Sequence, residues 1–250
     1  MHFLINQSIF VMTEPSIIFE DNHLLAINKP AGWLVQGDRT GDPTLTDWGK
    51  DYLKTKYNKP GAVFLTPVHR IDRPVSGAVL FARTDKALGR MTELFREREV
   101  EKLYIALSRT TPYPAKGALK HWLLKDEQKN IVKAFRKQQG GAKESELFYE
   151  HLGNVGNLQV IEVRPVTGRP HQIRVQLSAV GCSIEGDLKY GAPIPLEDAS
   201  IGLHCMQMSF LHPVQKVPIV ITASFPALAI WKGVNALFYR SKRTDLQDDK

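Results

Sequence analysis

One carboxylate stands among cations in the segment Pro67-Val68-His69-Arg70-Ile71-Asp72-Arg73-Pro74-Val75-Ser76-Gly77. Positive neighbours keep a carboxyl ionised. An ionised, positioned aspartate acts as a nucleophile or as a general base. Pro67 and Pro74 stiffen the loop on either side. The same composition also suits a plain loop ion pair, and most such pairs contribute little. A second segment, Val166-Thr167-Gly168-Arg169-Pro170-His171-Gln172-Ile173-Arg174-Val175-Gln176-Leu177, reads as a short helix beginning near Pro170. On that helix His171, Arg174 and Ser178 share a polar face, opposite an apolar stripe of Ile173, Leu177 and Val180. Arg169 and the helix N-terminus favour an anion such as phosphate. An amphipathic surface helix with incidental charges accounts for the pattern equally well.

Two further segments are plainer on their own. Tyr104, in Glu101-Lys102-Leu103-Tyr104, stands on a strand beside a basic side chain and reads as a half-buried strand tyrosine. Gly186-Asp187-Leu188-Lys189-Tyr190-Gly191 reads as a turn. Other chemistries fail on spacing. Ser76 is not in a G-x-S-x-G elbow, and neither glycine-rich phosphate loop is present. Cys182 and the pair His204-Cys205 lack metal-motif spacing, so no metal site is expected.

The elements that must position these residues follow from periodicity. Residues 17–20 and 24–28 read as strands around a polar turn, and a helix is expected between Pro43 and Pro60. Residues 77–83 form an apolar strand, after which Thr84 or Asp85 caps a helix. Strands are expected at 103–107, twice within 117–137, at 145–151, at 158–164, at 206–211 and at 217–224. A short helix at 171–180, a final helix at 226–238 and a polar tail at 241–250 complete the reading. Strands dominate and hairpins outnumber βαβ units, which argues for an α+β fold. One domain at 16–240 is expected, with residues 1–15 as an extension outside it.

The chain has 250 residues, 43% of them hydrophobic and 24% charged, with a net charge of +7. This excludes a disordered tail protein, a collagen-like chain and a small disulfide scaffold. Residues 101–143 alone carry ten basic and three acidic side chains. Such a cluster suits a polyanion, nucleic acid or an anionic membrane, or else simply solubilises the fold. No apolar run approaches the ~20 residues needed to span a bilayer. Two cysteines give no disulfide framework, and with no signal peptide a cytoplasmic location is expected.

Read in order, these segments closely resemble the RluA family of pseudouridine synthases, from about residue 17 to about residue 224. The resemblance rests on Ile27-Asn28-Lys29-Pro30-Ala31-Gly32, on His69-Arg70-Ile71-Asp72 with Ser76-Gly77, and on Glu101-Lys102-Leu103-Tyr104. It continues through Gly168-Arg169-Pro170-His171-Gln172-Ile173-Arg174 and Gly186-Asp187 with Tyr190-Gly191. Leu203-His204 and His212-Pro213 also match. Val75 and Pro170 stand where the family usually has Thr; neither replaces an expected catalytic group.

The resemblance implies an α+β catalytic domain with a long, mainly antiparallel mixed sheet, flanking helices and a basic RNA-binding cleft. It implies conversion of specific uridines in RNA to pseudouridine, with no cofactor and no metal. Asp72 would be the catalytic carboxylate, as nucleophile or base. Tyr104 would lie against the uracil and assist proton removal, and Arg174 would pair with Asp72. Arg70 would fill the gap left by the flipped nucleotide, with His69, Arg73, Arg169, His171 and Gln172 among the substrate contacts. Ribosomal or transfer RNA is the expected partner, with no membrane involved, and a monomer is the expected state. The basic segment suggests a phosphate-contacting rim of Lys116, Lys120, Lys125, Lys129, Lys133, Arg136, Lys137 and Lys143. Two other readings stay open: a non-catalytic RNA-binding protein on the same fold, and a glycosidic hydrolase in which Asp187 joins Asp72 as the second acid.

Overall fold

The computed structural model of the protein describes residues 13–248. Strands β1 (Ser16–Glu20) and β2 (Leu24–Lys29) form a hairpin. Its turn is set by Asp21, whose Oδ1 accepts the N–H groups of His23 and Leu24, each at 2.7 Å. Helix α1 (Leu45–Lys56) starts where the Thr44 hydroxyl accepts the Asp47 N–H. After β3 (Thr66–Pro67) and β4 (Ser76–Ala82), Thr84 caps α2 (Asp85–Arg96) in the same way through the Ala87 N–H. Then come β5 (Glu101–Ser108), β6 (Lys116–Asp126), β7 (Ile131–Phe135), β8 (Lys143–Val155) and β9 (Leu158–Pro165). Helix α3 (Gln172–Ser178), β10 (Leu203–Leu211), β11 (Pro218–Thr222) and α4 (Val234–Asp248) follow.

The strands form one sheet in the order β1-β2-β4-β10-β5-β9-β8-β6-β7, with β11 on β10 and β3 on β4. Among the strands of the described residues only the β4–β10 pair is parallel. The architecture is therefore α+β with a long, mainly antiparallel mixed sheet, as the sequence led us to expect. Cys205 on β10 stands opposite Gly77 on β4 and opposite Tyr104 on β5. The loop that carries Asp72 and the strand that carries Tyr104 are thus brought one strand apart. Gly77 makes that possible: its φ is +117°, and a Cβ there would lie 2.3 Å from the Cys205 carbonyl oxygen.

Alternation along β5 sends Tyr104 and Ala106 into the larger core, with residues of β2, β4, α1 and α2. Leu103, Ile105 and Leu107 face the other way, against Trp231, Val234 and Phe238. Burying a side chain of the Val234 or Phe238 kind stabilises the fold by roughly 1.5–3 kcal/mol, which pins α4 to the sheet.

Several expectations change. The chain after Pro226 is not one helix over 226–238. A 3-10 turn at Ala229–Trp231 precedes Gly233, whose φ of +87° breaks the path, and α4 runs from there to Asp248. Residues 241–248, read as a polar tail, therefore continue this helix, and Lys242 pairs with Glu162 at 2.8 Å. Helix α3 begins at Gln172 rather than near Pro170, because His171 takes the cap position with a φ of +51°. It is also not amphipathic: every residue from Gln172 to Leu177 is buried, whereas Val180 lies beyond it and is exposed. At the other end, Trp33 donates its indole N–H to the Thr13 carbonyl and Pro15 is buried, so packing begins by Thr13. The other residues of the expected 1–15 extension, 1–12, lie outside the described residues.

Candidate active site

A cleft of about 580 Å³ opens on the α3 side of the sheet, and Asp72, Tyr104 and Arg174 all line it. Asp72 ends a loop that three interactions hold in place. Lys29, fully buried, donates its ammonium to the carbonyls of Pro30, Trp33 and Arg73 at 3.0, 2.9 and 3.1 Å. Burial pulls its pKa down to about 7, against the opposing pull of the Asp72 charge. Gly32 donates its N–H to the Arg73 carbonyl, and Arg73 Nε donates back to the Gly32 carbonyl, both at 2.9 Å. His69 Nε2 accepts the Leu80 N–H at 3.0 Å, and its ring stacks on Phe95 at 5.4 Å. Burial, helped by the nearby Lys102 charge, holds the His69 pKa down to about 3, so the ring is neutral.

The carboxylate meets its cation from α3. Arg174 Nη1 donates to Asp72 Oδ2 at 2.9 Å. The other edge of the guanidinium forms a two-point pair with Asp187, Nε to Oδ2 at 2.7 Å and Nη2 to Oδ1 at 2.8 Å. The Arg174 and Asp187 side chains are 6% and 1% exposed, while that of Asp72 is 24% exposed and faces the cleft. Burial works against the Arg174 charge, yet Asp187 and then Asp72 raise its pKa above the ordinary arginine value. Arg174 is therefore a fixed cation, anchored below and presented to Asp72 above. Its guanidinium also lies over the Tyr190 ring, 5.0 Å from the centroid.

Tyr104 is buried in the cleft wall, and burial pushes its phenol pKa well above the ordinary value, so it rests protonated. The neighbouring Cys205 thiol is pushed up to about 12 by the same burial. His171 Nδ1 meets the Tyr190 hydroxyl at 2.7 Å, and that oxygen accepts the Val132 N–H at 2.9 Å. The hydroxyl therefore donates to His171, which burial keeps toward its neutral form.

A sequence profile for RNA pseudouridylate synthase matches residues 23–179. The chain belongs to the RNA pseudouridylate synthase family. It is 33% identical over 230 residues to the ribosomal large subunit pseudouridine synthase C of Vibrio cholerae, covering 86% of this chain and 67% of that protein. Against the tRNA pseudouridine synthase C of the same organism the identity is 28% over 240 residues, with coverage of 89% and 95%. The chain thus spans about two thirds of the first relative and nearly all of the second. Among solved structures, human RNA pseudouridylate synthase domain containing 4 superposes with a TM-score of 0.71 at 24% identity, over 91% of this chain and 93% of that one. That likeness is one of fold.

Within this family member, the cleft gathers His69, Arg70, Asp72, Tyr104, Arg169, His171, Gln172 and Arg174. Not all have every polar atom free for a substrate. Gln172 is largely engaged: its Oε1 accepts from Thr167 and Arg169, and its Nε2 donates one N–H to the Glu146 carbonyl. Arg73 does not line the cleft; its Nη1 reaches Asp42 at 2.7 Å and its Nε the Gly32 carbonyl, clamping the loop before α1. None of the eight cations of the expected rim lines the cleft. Lys116 and Lys120 pair with Glu150 and Glu146, because antiparallel pairing of β6 with β8 sets opposite charges side by side, and Lys125 pairs with Glu127 two residues on. Sequence reasoning considered Asp187 only as a second acid for the hydrolase reading, not as the partner of Arg174, and missed Tyr190, although the glycines around them carried the signal. Gly186 and Gly191 have φ of +81° and +99°, so the turn that lifts Asp187 beneath Arg174 needs them. It also missed Lys102, which alternation along β5 sets on the same side as Tyr104.

Proposed function

We propose that the protein isomerises specific uridines in structured RNA, ribosomal or transfer, to pseudouridine, with Asp72 as the catalytic residue. The observation that carries this is the Asp187–Arg174–Asp72 chain. A permanent cation, locked from behind, holds one Asp72 oxygen at 2.9 Å and leaves the carboxylate facing an open cleft. The target atom is inaccessible in a base stack, so the nucleotide flips out at a cost of roughly a few kcal/mol. Arg70, exposed on the cleft rim and without a partner among the described residues, offsets part of that by filling the gap. Asp72 then attacks the nucleoside or removes a sugar proton; the base detaches, turns, and rejoins the ribose through carbon. Tyr104 lies against the base and assists loss of the proton from the new junction. His171 contacts the nucleotide through its Nε2, the Nδ1 being held by Tyr190.

The hydrolase reading needs a second acid able to donate a proton. Asp187 is 1% exposed and fully engaged by Arg174, which argues against that role. The proposal includes a cytoplasmic location, a monomer and no membrane association; among the described residues no helix is long and apolar enough to cross a membrane. The test is to incubate the protein and its Asp72→Ala variant with total RNA from a strain lacking the gene, then map pseudouridine by chemical probing. The wild-type protein restores discrete sites and the variant none. No site with the wild-type protein overturns the proposal.

A further inference from the structure

One corner of the cleft has no part in the steps above. It lies where α2 ends and β5 begins. Arg98 and Lys102 both line the cleft there, and neither has an acidic partner or a side-chain hydrogen bond among the described residues. Their neighbour Arg96 differs, since it is paired with Glu93 and Glu97 at 2.9 Å each. Glu99 and Glu101 flank the corner in sequence but do not line the cleft.

Each cation sits where the fold alone would not choose it. Arg98 closes α2: its N–H reaches the Phe95 carbonyl at 3.3 Å, and the Glu99 N–H reaches Leu94 at 2.9 Å. This ending requires a left-handed residue, and Arg98 adopts a φ of +63°. Glycine or asparagine is the usual occupant of that position, and an arginine there is strained. Strain held at a cleft is a pointer to function. Lys102 is half-buried, with its ammonium over the Phe95 ring at 5.5 Å. A half-buried ammonium with only a ring for company is unfavourable until an anion arrives.

We infer that Arg98 and Lys102 grip a backbone phosphate beside the flipped-out uridine, on the Tyr104 side of the cleft. Arg70 lines the same cleft. Phe95 links the two, carrying Lys102 over its ring and the His69 ring at 5.4 Å, one residue before Arg70. The phosphate grip and the gap-filling arginine are thereby held at a fixed separation, which sets how the strand must bend to deliver its base. This inference rests on the proposed function, since it takes RNA as the substrate.

The test uses a transcript carrying a site that the wild-type protein restores, with RNA binding followed against salt concentration. Each phosphate contact contributes about 0.7 to the slope of log K against log salt for single strands. The double variant Arg98→Gly/Lys102→Met should lower the slope by about 0.7, each single variant by part of that, and each should raise KM several-fold. Arg98→Lys should keep the slope. Arg98→Gly also removes the backbone strain, so its melting temperature should not fall below that of the wild-type protein; a structural role for Arg98 would lower it. Wild-type slope and KM in Arg98→Gly and Lys102→Met overturn the inference while leaving the function standing. Absence of pseudouridine with the wild-type protein overturns both.

Discussion

Asp187→Asn tests the anchor beneath the site. The carboxylate accepts two charge-assisted bonds from Arg174, at 2.7 and 2.8 Å, in a pocket where it is 1% exposed. An asparagine offers one oxygen where two were used, and its amide N–H₂ faces a guanidinium that can only donate. Removing one partner of a buried pair costs about 3–5 kcal/mol, because the surviving charge stays buried. Asp72 still meets Arg174, so the lower end, about 3 kcal/mol, applies. With an m-value near 3 kcal/mol/M, the urea midpoint should drop by about 1 M. Catalysis should fall further than stability alone accounts for. A loosened guanidinium turns its free edge onto Asp72 and engages the oxygen that faced the cleft, so kcat should fall about 100-fold while KM changes little. Urea melts followed by tryptophan fluorescence, with single-turnover pseudouridine formation below the transition, read both effects. A midpoint within 0.2 M of wild type and an unchanged kcat, taken together as roughly no effect on either axis, would refute the anchoring role.

Gly77→Ala should lower the melting temperature by about 10 °C, from roughly 3–4 kcal/mol of strain at about 2–4 °C per kcal/mol, since the added Cβ meets the Cys205 carbonyl at 2.3 Å; thermal unfolding by circular dichroism checks it. Lys29 has a folded pKa lowered to about 7, so above that pH the unfolded chain binds more protons and stability rises with pH toward the unfolded value. Between pH 7 and 9 the wild-type protein should gain at most about 1.4 kcal/mol per unit relative to Lys29→Met, and parallel pH profiles of the two in urea would exclude the mechanism. Arg73→Gln should leave RNA affinity within about twofold and cost no more than about 1 kcal/mol, because its partner Asp42 is solvent-exposed; a large loss of binding in a filter assay would return Arg73 to the cleft.

The parts of the fold legible in the sequence are those written locally. Thr84 ahead of Leu88 and Met91 marks the start of α2, and alternation at Leu147, Tyr149 and Leu158, Val160 marks two sheet faces. What was not legible depended on partners distant in sequence. Arg174 looked like part of the polar side of a surface helix with His171 and Ser178; it is buried because Asp72 and Asp187 wait for it from other elements, as the Leu119 carbonyl does for the buried Gln176. The basic run over 101–143 looked like an RNA surface, but the register of β6 on β8 brings it glutamates. His69, Gln172 and Arg73 were expected as substrate contacts, but backbone groups of β4, of β8 and of the turn after β2 engage polar atoms of theirs. The final helix was misplaced because Gly233 breaks the path at a point that composition does not mark.

The central claim is that Asp72 drives replacement of the bond from nitrogen to ribose by one from carbon, and formation of that carbon bond must release the hydrogen of uracil C5. RNA labelled with tritium at uridine C5, prepared from a strain lacking the gene, reads this step directly. The wild-type protein should release tritium in proportion to pseudouridine formed, with no free uracil, and Asp72→Asn should release none. Release by Asp72→Asn at the wild-type rate, or free uracil without tritium release from the wild-type protein, would contradict the account.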